Sequence, residues 1–70
     1  MLSVVERIKQ EKKDLDEKYE KLTEFLGSEQ FTYIPEREKH LMYSQSMLMS
    51  SYSVVLGLRL KLHEEEKANE

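Results

Sequence analysis

Apolar residues in the first third of the chain recur with the period of an α-helix. Val5, Ile8, Lys12, Leu15, Tyr19, Leu22 and Leu26 follow one another at steps of three or four, which places them on one stripe of a helix. Lys12 is the polar member of that stripe. The positions between are mostly Glu, Lys, Asp and Gln, as on a solvated face with acid-to-lysine pairs one turn apart. Ser3 and Glu6 form a capping-box pair: the hydroxyl accepts from the N–H of residue 6 and the carboxylate accepts from that of residue 3. The pattern predicts a helix from about Ser3 to Leu26, ended by Gly27 in a left-handed C-cap.

Residues 27–34 form the connection. Phe31, Tyr33 and Ile34 are too apolar for an idle loop and are expected to plug the end of a hairpin, with one short helical turn started at Ser28. Pro35 suits the first turn of the next helix, where its missing N–H costs nothing. Glu36 and Glu38 favour the positive helix start. The second helix is predicted over about 35–65, followed by a frayed charged tail at 66–70; it would be roughly 45 Å long at ~1.5 Å per residue. Its inner seam is read as Leu41, Gln45, Leu48, Tyr52, Val55, Arg59 and Leu62. Met42, Met47, Met49, Val54, Leu56, Leu58 and Leu60 surround that seam, so the helix is apolar on nearly every side between Met47 and Leu62. A helix apolar all round is buried all round. The shorter first helix cannot cover it, and the surplus belongs to another subunit. Gly57 in mid-helix costs about 1 kcal/mol relative to alanine, which a close crossing or a bend would explain.

The architecture expected is all-α: a single domain over residues 1–70, an antiparallel helical hairpin that assembles into a compact homo-oligomer. Length strengthens the oligomer. A chain of 70 residues is one domain at most and struggles to bury enough apolar surface without disulfides, a metal or association. There is no cysteine, and His40 and His63 are far apart on one helix, which leaves association. A net charge of −3 argues against a dedicated duplex nucleic-acid binder, which would be basic. No apolar run reaches the length of a membrane span, and no secretory signal is visible. The absence of cysteine fits a reducing cytoplasm, so a soluble cytoplasmic protein is expected.

No catalytic signature accompanies this pattern. Ser44, Ser46, Ser50, Ser51 and Ser53 cluster without a nearby histidine base, and the carboxylates fall in exposed charge patterns. The expectation is a protein that is not an enzyme and that needs no cofactor and no metal. Arg59 stands in the most apolar stretch. A guanidinium buried there needs an anion or a set of acceptors: the readings are a salt bridge to a glutamate of another subunit, an aliphatic stem that snorkels outward, or a phosphate clamp, whose oxygens its planar fork matches. Gln45 reads as a buried amide that fixes register. Tyr19, Phe31, Tyr33, Tyr43 and Tyr52 read as core, although aromatics near Arg59 could sandwich a base. Lys12, Lys13, Lys18 and Lys21 read as a solvated basic strip. Met42, Met47 and Met49 suit an adaptable interface.

One resemblance rests on particular residues. Val5, Glu6, Arg7 and Ile8 are followed by Leu15, Lys18 and Leu22, then by Phe25 and Leu26 before a Ser-Glu turn. Phe31 and Ile34 come next, then Leu41, Gln45, Met49, Tyr52, Leu56, Arg59 and Leu60. This series, over about residues 4–62, resembles the small phage hairpin family of the anti-CBASS cyclic-oligonucleotide sponges, a hairpin shared with the anti-Thoeris sponges. The resemblance implies a homohexamer in the host cytoplasm that binds cyclic dinucleotides or trinucleotides between protomers and withholds them from a host effector without catalysis. It implies ligand contacts from Arg59 and Lys18, with Arg7 and Tyr52 also on family-pattern positions. The alternative is a small helical oligomer that serves as a structural or protein-interaction module and takes no nucleotide.

Overall fold

The computed structural model describes residues 2–68, with the side chains of residues 67 and 68 outside the described set. Helix α1 spans Val4–Leu26, a 3-10 turn spans Glu29–Tyr33, and helix α2 spans Glu36–Ala68. The two helices pack against each other as an antiparallel hairpin, and there is no strand among the described residues. The extents are 54 × 20 × 17 Å, and the described residues form one layer of two helices. Helix α2 runs three residues beyond the predicted Glu65, through part of the expected frayed tail; residues 69 and 70 of that tail lie outside the described residues.

The first helix follows its pattern. Ser3 accepts from the Glu6 N–H at 3.1 Å and its own N–H donates to the Glu6 carboxylate at 3.4 Å, completing the capping box. Ile8 is buried, and Val5, Lys12, Leu15, Tyr19, Leu22 and Leu26 are half-buried along the same stripe. The end of α1 departs from expectation. Gly27 has φ −93° and ψ 3°, a bridge conformation open to any residue and not the left-handed cap. The chain leaves α1 by tightening into a 3-10 turn, not by reversing, so no positive φ is needed. The Gly27 N–H still serves the Thr23 and Glu24 carbonyls, both at 3.2 Å.

The connection plugs the hairpin with two of its three apolar residues, Phe31 and Ile34. Phe31 is buried and meets Phe25 edge-on at 6.1 Å between centroids and Tyr43 at 5.5 Å. Such T-shaped pairs add about 0.5–1.5 kcal/mol beyond the area they bury. Lys39 Nζ lies 5.4 Å above the same ring. Ile34 is half-buried, but Tyr33 is 79% exposed and takes no part in the plug. In a 3-10 turn residues three apart eclipse one another; with Phe31 and Ile34 turned inward, Tyr33 faces water. The turn begins after Ser28, as expected, although the Ser28 hydroxyl donates back to the Phe25 carbonyl and does not cap it. Pro35 precedes α2 and accepts from the Lys39 N–H through its carbonyl at 3.0 Å.

The seam of α2 is displaced by one residue from the expected one. The residues that α2 turns toward α1 are Lys39, Met42, Ser46, Met49, Ser53, Leu56, Leu60 and His63, with Leu56 fully buried. The predicted seam of Leu41, Gln45, Leu48, Tyr52, Val55, Arg59 and Leu62 is exposed throughout. One residue turns a helix by ~100°, so the two stripes are neighbours on the same cylinder. Both have the right spacing, and size separates them. The stripe of α1 is bulky, and the side of α2 that accommodates it carries Ser46, Ser53 and Gly57. Gly57 needs neither a bend nor backbone contact: a Cβ there would lie 3.5 Å from Lys12 Cε, an ordinary van der Waals distance.

Two substitutions check this seam. Leu56→Ala removes a side chain with no exposed area and is expected to cost about 2–5 kcal/mol in a urea melt. Gly57→Ala is expected to stabilise by about 0.5–1 kcal/mol, since the methyl fits and the helix gains propensity.

Candidate functional site

Two sides of the hairpin carry polar chemistry, and they differ. On one side, Lys12 reaches from the α1 stripe across to α2. Its Nζ donates to Asp16 Oδ2 at 2.7 Å and to Ser53 Oγ at 3.1 Å, and the Ser53 hydroxyl donates to Asp16 Oδ1. The triangle satisfies the polar intruder of an otherwise apolar stripe, and its stem lies over Gly57. The hydrogen bond from Lys12, then that from Ser53, hold the Asp16 carboxyl below its ordinary value of 3.8, against a small opposing effect of desolvation. A cleft of about 420 Å³ opens beside the triangle, lined by Lys9, Lys13, Glu17, Glu20 and Leu60 as well as Lys12 and Asp16. Its three lysines are matched by three carboxylates, so the lining is neutral in sum and has no bias toward an anion.

The opposite side holds the residues singled out in the sequence. The Tyr52 hydroxyl donates to the Glu11 carboxylate across the two helices. Arg7, Glu11 and Lys18 stand at i, i+4 and i+11 on α1, hence on one edge of that helix. Gln45, Tyr52 and Arg59 stand seven residues apart on α2, hence also on one edge. The Tyr52–Glu11 contact brings these edges to the same flank, so Arg7, Lys18, Tyr52 and Arg59 share a face of the hairpin. Glu11 and Tyr52 occupy its middle. Because the helices run antiparallel, Arg59 and Arg7 lie toward the same end, about 10 Å along α2 and about 6 Å along α1 from that middle at 1.5 Å per residue. Lys18 and Gln45 lie about 10 Å the other way. All four predicted site residues are exposed.

Exposure corrects two expectations. Arg59 and Gln45 are not buried in the seam of the protomer; they rim it, with Leu62, Val55 and Leu48 beside them on the outer surface. Their aliphatic neighbours are exposed too, because α1 occupies the adjacent side of the helix. The Arg59 guanidinium therefore needs no counter-ion within one chain. Nor does any cleft described here gather the four residues: they form a strip, open on its outer side. Glu11, which anchors Tyr52, was not visible in the sequence, where it is one of many helical glutamates. The Lys12–Asp16 part of the triangle was legible as a lysine in an apolar stripe with an acid one turn later.

No group of three or more His, Cys, Asp or Glu side chains able to hold a metal ion occurs among the described residues, and no described helix is long and apolar enough to cross a membrane. Fold and flank define a class: a two-helix hairpin with a basic and aromatic edge and an aliphatic outer surface that the chain itself leaves uncovered. The family model described as Sequestin matches residues 2–62, and the chain belongs to the Sequestin family, whose name denotes a sequestering role. The match takes in α1, the turn and α2 as far as Leu62, and so all of Arg7, Lys18, Tyr52 and Arg59. No curated protein and no solved structure gives a significant match.

The triangle on the opposite side sets a pH response. A carboxyl held low in the folded state contributes stability above its unfolded pKa and loses it as pH falls through the folded one. For Asp16 that loss begins below its ordinary value of 3.8. Thermal melts between pH ~2 and ~6 are expected to fall less steeply at the acid end for Asp16→Asn than for the parent chain. An unchanged slope would remove Asp16 from the acid response.

Proposed function

We propose that the chain sequesters cyclic di- or trinucleotide second messengers between protomers of a homo-oligomer, and that it does so in a host cytoplasm to silence CBASS-type immune signalling. The observation that carries this reading is the Sequestin match over residues 2–62. The chemistry of the flank supports it. Arg59 and Lys18 supply cations for phosphate, Arg59 through a planar fork that can take two oxygens at once. Tyr52 presents a ring on which a base can stack, a contact worth about 1–3 kcal/mol per base. Arg7 adds positive charge at the Arg59 end. Their open strip becomes a pocket when a neighbouring protomer walls its outer side, and the resemblance to the phage sponges supports a hexamer as that assembly. Sequestration is an affinity, not a reaction, and it asks for neither nucleophile nor general base. We therefore read the protein as a binder and not an enzyme.

A protein-interaction module is the second reading. It is favoured by the aliphatic outer surface of α2, which another protein's helix could cover as well as a second copy could.

Native mass spectrometry with and without a mixture of cyclic oligonucleotides separates the two. The expected result is a homo-oligomer that gains integral ligand masses, with the ligand recovered unaltered after denaturation. Binding to the native state alone raises apparent stability by about 2.7 kcal/mol at free ligand a hundredfold above Kd, so the same ligand should raise the melting temperature. Arg59→Ala is expected to abolish that shift in a chain that keeps its helical content. An oligomer that gains no mass and shows no shift with any cyclic di- or trinucleotide would overturn the nucleotide reading.

A further inference from the structure

We propose that a second copy of this chain packs antiparallel along the outer face of α2, about a two-fold axis between Ser51 and Tyr52. This rests on the homo-oligomer reading above and specifies one contact within it. Leu41, Leu48, Val55 and Leu62 are 49–70% exposed and form a continuous aliphatic row at heptad spacing. Neither α1, on the adjacent side of α2, nor the 3-10 turn at its end covers them. With Ile8, Phe31 and Leu56 as the buried apolar residues among those described, the hairpin has little core to stand on, and the row is a reserve of apolar area.

The order of residues selects the occupant. Reversing α2 about a point between residues 51 and 52 carries Leu41 onto Leu62 and Leu48 onto Val55. It carries Gln45 close to Arg59 and Tyr52 close to itself. Aliphatic residues thus meet aliphatic residues, and the two polar members of the neighbouring row meet each other. That is the self-complementarity an isologous two-fold contact requires. A parallel pairing would set Arg59 against the partner's Arg59, with like charges at close range. At the crossing point Ser51 is small, which lets the two backbones approach.

The contact also completes the candidate flank. A two-fold perpendicular to both helices keeps the rows of Gln45, Tyr52 and Arg59 from the two copies on the same side. The partner's Gln45 then lies level with Leu58, one residue from Arg59, with its amide oxygen in reach of the guanidinium. The two Tyr52 rings adjoin at the axis. The strip that is open in one chain gains its outer wall from the second copy.

The chain has no cysteine, so introduced cysteines report alone, and no nucleotide is needed. Ser51→Cys is expected to cross-link to itself under mild oxidation or with a short bifunctional reagent. Leu41→Cys mixed with Leu62→Cys is expected to give covalent heterodimers, while neither links to itself; the two positions are about 31 Å apart on one helix. Gln45→Arg, which sets two guanidinium groups together, is expected to weaken association at least tenfold, and adding Arg59→Gln to it should restore association. Self-linking of Leu41→Cys, or failure of Ser51→Cys to link in a chain that native mass spectrometry finds oligomeric, would overturn this pairing and leave the homo-oligomer reading intact. A monomer in native mass spectrometry would overturn both. Failure of the double exchange to restore what Gln45→Arg lost would also refute it.

Discussion

The packing of the apolar stripe of α1 against the side of α2 that carries Leu56, Ser53 and Gly57 governs the rest of this molecule. Lys12 needs room to cross from α1, and α2 offers it where Ser53 and Gly57 lie. Choosing that side turns Met42, Met49, Leu56 and Leu60 toward α1 and leaves a second set of large aliphatics of α2 outside. Leu41, Leu48, Val55, Leu58 and Leu62 are consequently exposed in the protomer. At about 25 cal/mol per Å² of apolar surface removed from water, a row of this kind is a strong drive toward association. Thus a steric preference inside the hairpin produces the surface by which hairpins meet.

The same seam holds one polar station. A lysine in an apolar stripe is destabilising unless its ammonium finds acceptors. Lys12 finds two, Asp16 one turn along its own helix and Ser53 on the other. Their closed triangle is directional in a way that leucine contacts are not. A slip of α2 by one turn would part Ser53 from Lys12 and leave the intruder with a single partner. On the opposite flank the Tyr52–Glu11 hydrogen bond ties the same two helices. The two contacts together fix the register that aligns Arg7 and Lys18 of α1 with Arg59 and Tyr52 of α2.

Much of this fold can be read from the residues, because α1 is amphipathic. Its stripe from Val5 to Leu26, its capping box and its length follow from spacing and local hydrogen bonding alone. The seam of α2 could not be read in that way. Apolar residues surround this helix so evenly that the stripes beginning at Leu41 and at Met42 are equally periodic, and hydrophobicity does not choose between them. Volume chooses, through a partner that periodicity ignores. Gly27 is a second case: a glycine after a helix predicts a left-handed cap, but the aromatic contact of Phe31 with Phe25 and Tyr43 draws the chain into a 3-10 turn. For the candidate site, the identities of Arg7, Lys18, Tyr52 and Arg59 were available from the resemblance. Their common flank follows only from the antiparallel register, and Glu11 is a partner that no pattern marked.

Arg59 gathers these threads. Taken as part of an inner seam, it would be a buried cation in want of an anion, with a desolvation penalty of several kcal/mol. Displacing the seam by one residue puts it on the rim, where its stem lies among aliphatic residues and its guanidinium reaches water. No counter-ion is then required for folding, and the charge remains available for association or for ligand. If a second copy closes the outer side, the guanidinium is enclosed on one flank by that copy and on the other by its own hairpin, at reduced dielectric. Cationic groups attract phosphate more strongly there than at a free surface. An arginine that costs the protomer little thus acquires its binding strength from assembly, which is the economical arrangement for a protein whose proposed work is to hold a ligand and do nothing further to it.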